Sequence, residues 1–313
     1  MINLIKRIIY RFTIPNDRNI GFGIGEIETI KNLLLEENYE KIGPLYDLLT
    51  NAEKSILITE IALDEDFSEP IQKWFYENQE SFHSNLFVGV VFTRIAWVKR
   101  TGKFANELTD EEVQGFFQYL EKAFECLTFA NQAKPEDSEP YARLIRVCMG
   151  LSEKEQAWRF YNKLKTMDSQ HLQAHFFMWD ILKEKWLGSD EEEMKFLHMC
   201  RDSKSQTLRV VYLDYIFDEL LDIQENYSLT KSLNVFKERY REEIIDLYKK
   251  YRFESITSKD RYYLANYFSV FFYLMDEDYL RNKEIDKIGK NISEYPWSCF
   301  GAEGFRDLQL LKL

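Results

Sequence analysis

Two histidines one helical turn apart, His171 and His175, have the spacing that most directly suggests chemistry. On a helix, this spacing places two imidazoles on one side, and such a pair can bind zinc. His198 or Cys200 from the next predicted helix would add a third ligand. However, the chain has no HExxH motif, and both histidines lie on or near an apolar stripe. A metal-dependent enzyme using His171 and His175 is therefore the alternative function, and helix packing is the favoured role.

The remaining catalytic patterns are weak. The four cysteines are far apart and form no CxxC pair, so they are predicted to be small buried hydrophobic residues. The glycines of the GFGIG stretch at 21–25 are not followed by a G-K-[ST] sequence, so an ordinary linker is favoured over a phosphate-binding loop. No local Ser/His/Asp or Cys/His grouping is specified. We therefore predict no catalytic residue and no cofactor.

Tryptophans and cations near the histidines suggest binding. Lys185 lies between Trp179 and Trp186 in the sequence and can stack its ammonium group on an indole ring or contact an acidic ligand. The alternative is that Lys185 extends along a helix end, where its charge favours the helix dipole. Five residues are predicted to form a binding surface or to support it, with core scaffolding as the alternative: Trp97, Arg100, Trp179, Lys185 and Trp186.

The two histidines and three of these candidates, Trp179, Lys185 and Trp186, lie on the first of two helices predicted within residues 171–201. The first is predicted over about 170–186 and has apolar side chains on nearly two faces, so it is expected to lie between neighbouring helices. Gly188 provides the permissive backbone typical of a helix C-terminus. Ser189 then begins the second helix, with Glu192 completing a capping box.

The same start and stop signals occur earlier in the chain. Thr109 with Glu112 and Ser152 with Glu155 are predicted capping boxes, and Ser138 is predicted to cap the helix between them. Residues 85–100 contain valines and phenylalanines that would also suit a strand. Their length of about sixteen residues favours a buried helix.

A repeat accompanies these signals. Segments starting at Lys134 and Met167 are offset by about 33 residues, close to the tetratricopeptide period of 34. The prediction is an all-α fold, an α-α superhelix of tetratricopeptide-like helical hairpins stacked in an array. The chain is predicted to consist of three regions: an N-terminal segment at 1–25, the array at 26–202, and a helical region at 203–313 that continues the array or forms a small bundle.

Composition limits the classes of partner. The chain has 313 residues, a formal net charge of −12, and only 12 glycines and 6 prolines, too few for a loop-rich β protein. The acidic total argues against nucleic-acid binding, which needs clustered lysine and arginine. Such a charge would suit a basic protein or peptide partner, but simple solubility is the preferred interpretation of the acidic total.

The sequence predicts a cytoplasmic protein without a membrane span. Residues 1–12 are basic and apolar but lack the continuous apolar core and small-residue cleavage site of a secretory signal. The longest apolar run, 86–98, is interrupted by Arg94 and is too short to span a bilayer. The alternative for residues 1–12 is that they lie on an anionic membrane surface.

The corner at 185–189 carries a family resemblance. It reads Lys-Trp-Leu-Gly-Ser and precedes an acidic run, and Trp97 and the helix-Pro135-helix segment occur before it in order. At these residues the chain resembles a bacterial domain family of unknown function that has tetratricopeptide-like helices and a Lys-Trp-Gly-Gly-Ser signature. Leu187 stands where that family has its first glycine. The resemblance covers roughly 86–202 and implies a helical fold and no known reaction.

Together, the patterns predict a noncatalytic helical-repeat protein that holds a protein or peptide partner in a concave groove. One specific version is an immunity- or antitoxin-like inhibitor whose acidic face covers a basic toxin, because the net charge of −12 suits a basic partner. The contrasting class is the metal-dependent enzyme introduced above.

Overall fold

The computed structural model describes Tyr10, residues 13–103 and residues 107–312. This part of the chain is helical and contains no strand, which confirms the all-α prediction. The first ten helices are α1 (Gly25–Leu35), α2 (Ile42–Asp47), α3 (Asn51–Ala62), α4 (Ser68–Glu77), α5 (Phe82–Arg100), α6 (Asp110–Ala133), α7 (Glu139–Gly150), α8 (Lys154–Lys165), α9 (Leu172–Leu182) and α10 (Asp190–Arg201). The next six are α11 (Arg209–Asn226), α12 (Leu229–Lys249), α13 (Arg261–Leu274), α14 (Asp278–Ile288), α15 (Glu294–Trp297) and α16 (Phe305–Leu311).

The helices belong to two compact units. The array unit is Ile24–Phe196, and the terminal unit combines the described residues up to Gly23 with those from Leu197 onward. Among the described helices, none combines the length and the apolar composition needed to cross a membrane. The alternative that residues 1–12 lie on a membrane surface concerns positions that, except for Tyr10, are outside the described part of the chain.

In the array unit, helices that follow each other in the chain pack against each other. α5 packs along α6, α6 against α7, and α7 against both α8 and α9. α3, α5 and α7 also contact one another, although α4 and α6 lie between them in the chain. α5 is a helix and not a strand, and it is buried along most of its length. At Gly89 an added Cβ would lie 2.6 Å from Leu127 Cγ, so a glycine permits the close approach of α5 and α6.

Two predicted helix starts have different chemistry in the structure. The capping box of Thr109 and Glu112 at the start of α6 is confirmed. The box predicted at Ser152 is wrong, because Ser152 has a φ of 61° and its N–H bonds to the Met149 carbonyl, closing the C-terminal turn of α7. α8 begins at Lys154 instead, with no side-chain cap.

The start of α7 also differs from the prediction. Ser138 makes no capping hydrogen bond. Asp137 takes that role, because its Oδ1 accepts a hydrogen bond from the Glu139 N–H at 3.1 Å. A carboxylate at this point is also favoured by the positive end of the helix dipole.

The predicted helix over 170–186 is four residues shorter at its C-terminal end. α9 stops at Leu182, because Lys183 has a ψ of 140° and leaves the helical region. Trp186 therefore lies in the corner between α9 and α10 and not on α9. At Gly188 an added Cβ would lie 1.9 Å from the Leu182 carbonyl oxygen, so glycine is needed for close backbone approach and not for a left-handed φ.

The terminal unit is built around α13. This helix packs against α11, α12, α14 and α15, and most of its side chains are buried. The chain's N-terminal portion joins this core: the Phe22 ring lies 5.5 Å from the Tyr262 ring and 4.8 Å from the Tyr263 ring. In the core, Asn266 accepts a hydrogen bond from Trp297 Nε1 at 2.9 Å. The unit thus uses both ends of the sequence.

Candidate functional site

The structure places the two histidines at the start of α9. His171 is the N-cap residue: its Nδ1 accepts a hydrogen bond from the Ala174 N–H at 3.3 Å, and its Nε2 lies 2.8 Å from Glu139 Oε1. Both ring nitrogens of His171 are therefore engaged. His175 Nδ1 donates to the His171 carbonyl at 2.9 Å. Its Nε2 is buried and has no hydrogen-bond partner among the described residues.

The surroundings of these groups shift their pKa values in different directions. Burial lowers the pKa of His175 to about 4, because the core disfavours the imidazolium. Burial alone would raise the pKa of Glu139, but Arg143 and His171 lower it to about 2. Burial would likewise lower the pKa of His171, but the Glu139 carboxylate raises it. Glu139 is thus held ionised inside the unit.

Glu139 lies in the middle of a buried network that joins three helices. Its Oε2 accepts a hydrogen bond from Arg143 Nε at 3.0 Å. Arg143 Nη2 reaches α3, donating to the Ser55 carbonyl at 3.0 Å and to Thr59 Oγ1 at 3.1 Å. Because Glu139 also contacts His171, this network connects α3, α7 and the start of α9.

A second buried ion pair lies beside the first. Lys54 Nζ is 2.7 Å from Asp137 Oδ2, and the Tyr46 hydroxyl donates to Asp137 Oδ1 at 3.2 Å. Lys54, Asp137, Glu139 and Arg143 are each less than a tenth exposed. Two carboxylates and two cations pair here with little exposure to solvent, so the network fixes the positions of these helices and its groups are poorly accessible to a substrate.

The metal hypothesis gains no further ligands from the geometry. Across the described part of the chain, no group of three or more histidine, cysteine, aspartate and glutamate side chains is placed to hold a metal ion. Of the two suggested additional ligands, Cys200 is buried and His198 is exposed, with its ring 6.3 Å from the Tyr212 ring. Of the ring nitrogens of His171 and His175, only the buried Nε2 of His175 has no hydrogen-bond partner among the described residues.

Three of the five predicted binding residues come together at the end of α5. The indole rings of Trp97 and Trp186 pack edge to face, with centroids 5.4 Å apart. The Arg100 guanidinium carbon lies 5.1 Å from the Trp186 ring centroid and 5.9 Å from that of Trp97. The Arg146 guanidinium carbon is 4.3 Å from the Trp97 ring centroid. We call Trp97, Arg100, Arg146 and Trp186 the corner cluster.

The sequence did not suggest Arg146, which connects the cluster to α9. Arg146 Nη1 donates to Asp180 Oδ2 at 3.1 Å, and its guanidinium carbon lies 5.9 Å from the Phe177 ring centroid. Arg146 and Asp180 are 34 positions apart. That separation is one tetratricopeptide period, so the repeat register was the signal that would have paired them.

The other two predicted residues, Trp179 and Lys185, do not join the corner cluster. Trp179 is buried and its Nε1 donates to Glu193 Oε1 at 2.7 Å. The cation over its ring is Lys183, with Nζ 3.7 Å from the centroid, whereas Lys185 is exposed in the corner. The end of α9 at Leu182 explains the difference, because the turn that follows carries Lys185 away from the helix surface.

The corner cluster has the chemistry of a recognition surface. All four side chains are half-buried, so each presents part of its surface outward. Arg100 Nη1 lies 3.4 Å from the Thr101 carbonyl and 3.3 Å from the Lys103 carbonyl, and within the described ranges it has no carboxylate partner. A guanidinium supported by two indole rings can donate hydrogen bonds to a carboxylate or a carbonyl oxygen.

Comparison with known proteins adds no identification. No family model, no curated protein and no solved structure matches the chain. The resemblance at residues 185–189 therefore stays a prediction, and the case for function depends on the geometry described above.

Proposed function

We propose that this protein is a noncatalytic, tetratricopeptide-like helical scaffold of the cytoplasm that binds a protein or peptide partner. The observation that carries the proposal is the corner cluster, in which two tryptophans and two arginines from separate elements are half-buried together. Tryptophan and arginine are the residue types that most often dominate binding energy at protein interfaces. Arg146 is held in place by its hydrogen bond to Asp180 and its contact with Phe177, so this part of the cluster is preorganised for binding.

The buried charges support binding over catalysis. Glu139 and His175, whose pKa values are lowered to about 2 and about 4, both lie inside the array unit. Lys54 and Arg143 each form an ion pair with a buried carboxylate of the same unit. These groups fix the positions of helices, and a scaffold needs that rigidity to present its surface at low entropic cost.

The charge of the chain supports a basic partner. A net charge of −12 increases the rate of encounter with positively charged proteins and disfavours nucleic acid. An immunity-like inhibitor that covers a basic toxin is the specific version of this proposal. In that version the corner cluster provides anchors and the surrounding acidic surface provides steering.

The proposal is tested by recovering the partner and then measuring its affinity for variants. Partners are captured from the native host, identified by mass spectrometry, purified and titrated against the protein by calorimetry. We expect Trp186→Ala to weaken binding by about tenfold or more. Tyr76→Ala is the matched control, because Tyr76 is an aromatic residue that is 61% exposed on α4. Equal affinities for these two variants would contradict a role for the cluster.

The metal-dependent alternative has its own test, motivated by the unpartnered Nε2 of His175. Protein purified without a histidine tag is analysed for bound metal by mass spectrometry. Stoichiometric zinc or iron that disappears in His175→Ala would favour the enzyme and count against a noncatalytic scaffold. The same metal content in both proteins would remove His175 as a ligand.

A further inference from the structure

The outward side of α6 differs in charge from the rest of that helix. The exposed charged side chains of α6 are all acidic: Asp110, Glu111, Glu121 and Glu125. At about 100° per residue they lie within an arc of roughly 120°, on the side opposite the residues packed against α5 and α7. We call this side the α6 outer face.

Among the described residues, no cation pairs with the carboxylates of the α6 outer face. Lys122 is the helix's single basic residue, and its Nζ lies over the Phe92 and Tyr119 rings at 5.9 and 5.1 Å. The nearby Lys103 pairs with Glu112 at 2.6 Å. None of the four outward acids forms an ion pair with another described residue.

Two phenylalanines are exposed on the same face. Phe117 is 42% exposed and Phe129 is 37% exposed, although both belong to a helix whose other side buries a continuous apolar stripe. Their twelve-residue separation corresponds to about 18 Å along the helix axis. Glu121 and Glu125 lie between them, one turn apart. The face therefore presents an aromatic group toward each end and negative charge between them.

We infer that the α6 outer face docks a basic amphipathic helix of a partner protein. Apolar side chains of that helix contact Phe117 and Phe129, while its lysines or arginines pair with Glu121 and Glu125. The inference rests on the proposed function, because it names the partner's chemistry and a docking surface. It uses none of the residues of the corner cluster, so the two can fail separately.

Charge decides among the occupants of this face. A second copy of the chain, packed face to face about a two-fold axis, would bring its own four acids against these four. Like charges so placed are unfavourable, and no cation of the face offsets them. An anionic membrane surface or a nucleic acid is repelled for the same reason. A cationic helix removes the repulsion and covers the exposed rings.

The test uses a defined probe, a synthetic amphipathic helix of lysine and leucine about 18 residues long, with a glutamate–leucine peptide of the same pattern as its negative counterpart. Binding to the full chain is followed by fluorescence anisotropy at low and high salt. We expect the lysine peptide alone to bind, and the Glu121→Lys/Glu125→Lys variant to weaken its binding by about tenfold or more. Phe117→Ser/Phe129→Ser is expected to weaken it similarly while lowering its salt dependence less.

A matched control separates this face from general acidity. The Tyr76→Ser/Glu80→Lys variant also removes an exposed aromatic ring and reverses an exposed acid, but outside α6. It is expected to bind the lysine peptide like the wild type, with all variants first shown by circular dichroism to be helical. Equal weakening by the control and the α6 variants would overturn the inference, as would self-association that depends on Phe117. Weaker peptide binding by Trp186→Ala would show that the peptide uses the corner cluster, and it would overturn the inference without contradicting the proposed function.

Discussion

Gly188 has a steric role that follows from the path of the corner after α9. Its hypothetical Cβ would lie 1.9 Å from the Leu182 carbonyl oxygen, which is backbone and cannot turn away. We therefore expect Gly188→Ala to lower the free energy of unfolding by about 2–4 kcal/mol in urea denaturation followed by tryptophan fluorescence. Gly25→Ala is the control, because no atom lies within 4 Å of that Cβ. A Gly188→Ala protein as stable as the control would show that the corner can adopt another path.

His175 gives the stability of the array unit a defined pH dependence. Its folded pKa of about 4 lies below the ordinary value of 6.5, so the unfolded chain takes up a proton first as the pH falls. The contribution of His175 to the free energy of unfolding is fully present above pH 6.5. It is lost as the pH falls from 6.5 to about 4, and the loss is at most about 3 kcal/mol. Glu139, with a pKa of about 2 in place of 4.5, loses its contribution only below pH 4.5.

The measurement is the free energy of unfolding between pH 7 and 4. We expect His175→Asn to show a shallower decrease than the wild type, because the variant has no imidazole to protonate. His198→Asn, at an exposed position, is expected to keep the wild-type slope. Identical slopes for the wild type and His175→Asn would mean that His175 is protonated equally in the folded and unfolded states.

At the scale of the helices, two positions with the same predicted role differ in the structure. Thr109 caps α6, so Thr109→Ala is expected to cost about 1 kcal/mol of unfolding free energy in urea. Ser152 has a positive φ and its side chain caps no helix, so Ser152→Ala should change stability by less than about 0.5 kcal/mol. Ser152→Gly should stabilise by roughly 1 kcal/mol, because glycine accepts a positive φ. A larger loss at Ser152 than at Thr109 would contradict these assignments.

Helix existence was easier to predict than helix ends. The length of the 85–100 segment identified α5 correctly, since no strand of that length is common. α3 was not predicted, although Thr50 and Glu53 form a capping box at its start. Ser138 and Ser152 match cap patterns as well as Thr109 does, but Asp137 competes at one site and a left-handed turn uses the other. A local sequence pattern identifies the residues that could cap a helix but does not show which of them does.

At the scale of the whole molecule, the terminal unit depends on residues from the start of the chain. Phe22 is 5% exposed and packs on Tyr262 and Tyr263, so Phe22→Ala is expected to destabilise that unit by about 3–5 kcal/mol. Hydrogen exchange measured by mass spectrometry should show faster exchange in α13 and little change in residues 24–196. Ile20→Ala, at a side chain 41% exposed, is the control. Faster exchange confined to the array unit would contradict the division into units.

The sequence by itself determined the helical class and several corners, because these depend on side chains within one or two helical turns of each other. Only the tertiary structure decided which side chains meet. Glu139 contacts His171 from 32 positions away, and Lys54 contacts Asp137 from 83 positions away. Trp97 and Trp186 likewise come from separate elements. Such pairs form when packing brings distant segments within a few ångströms, and their burial is a property of the assembled helices and not of any one of them.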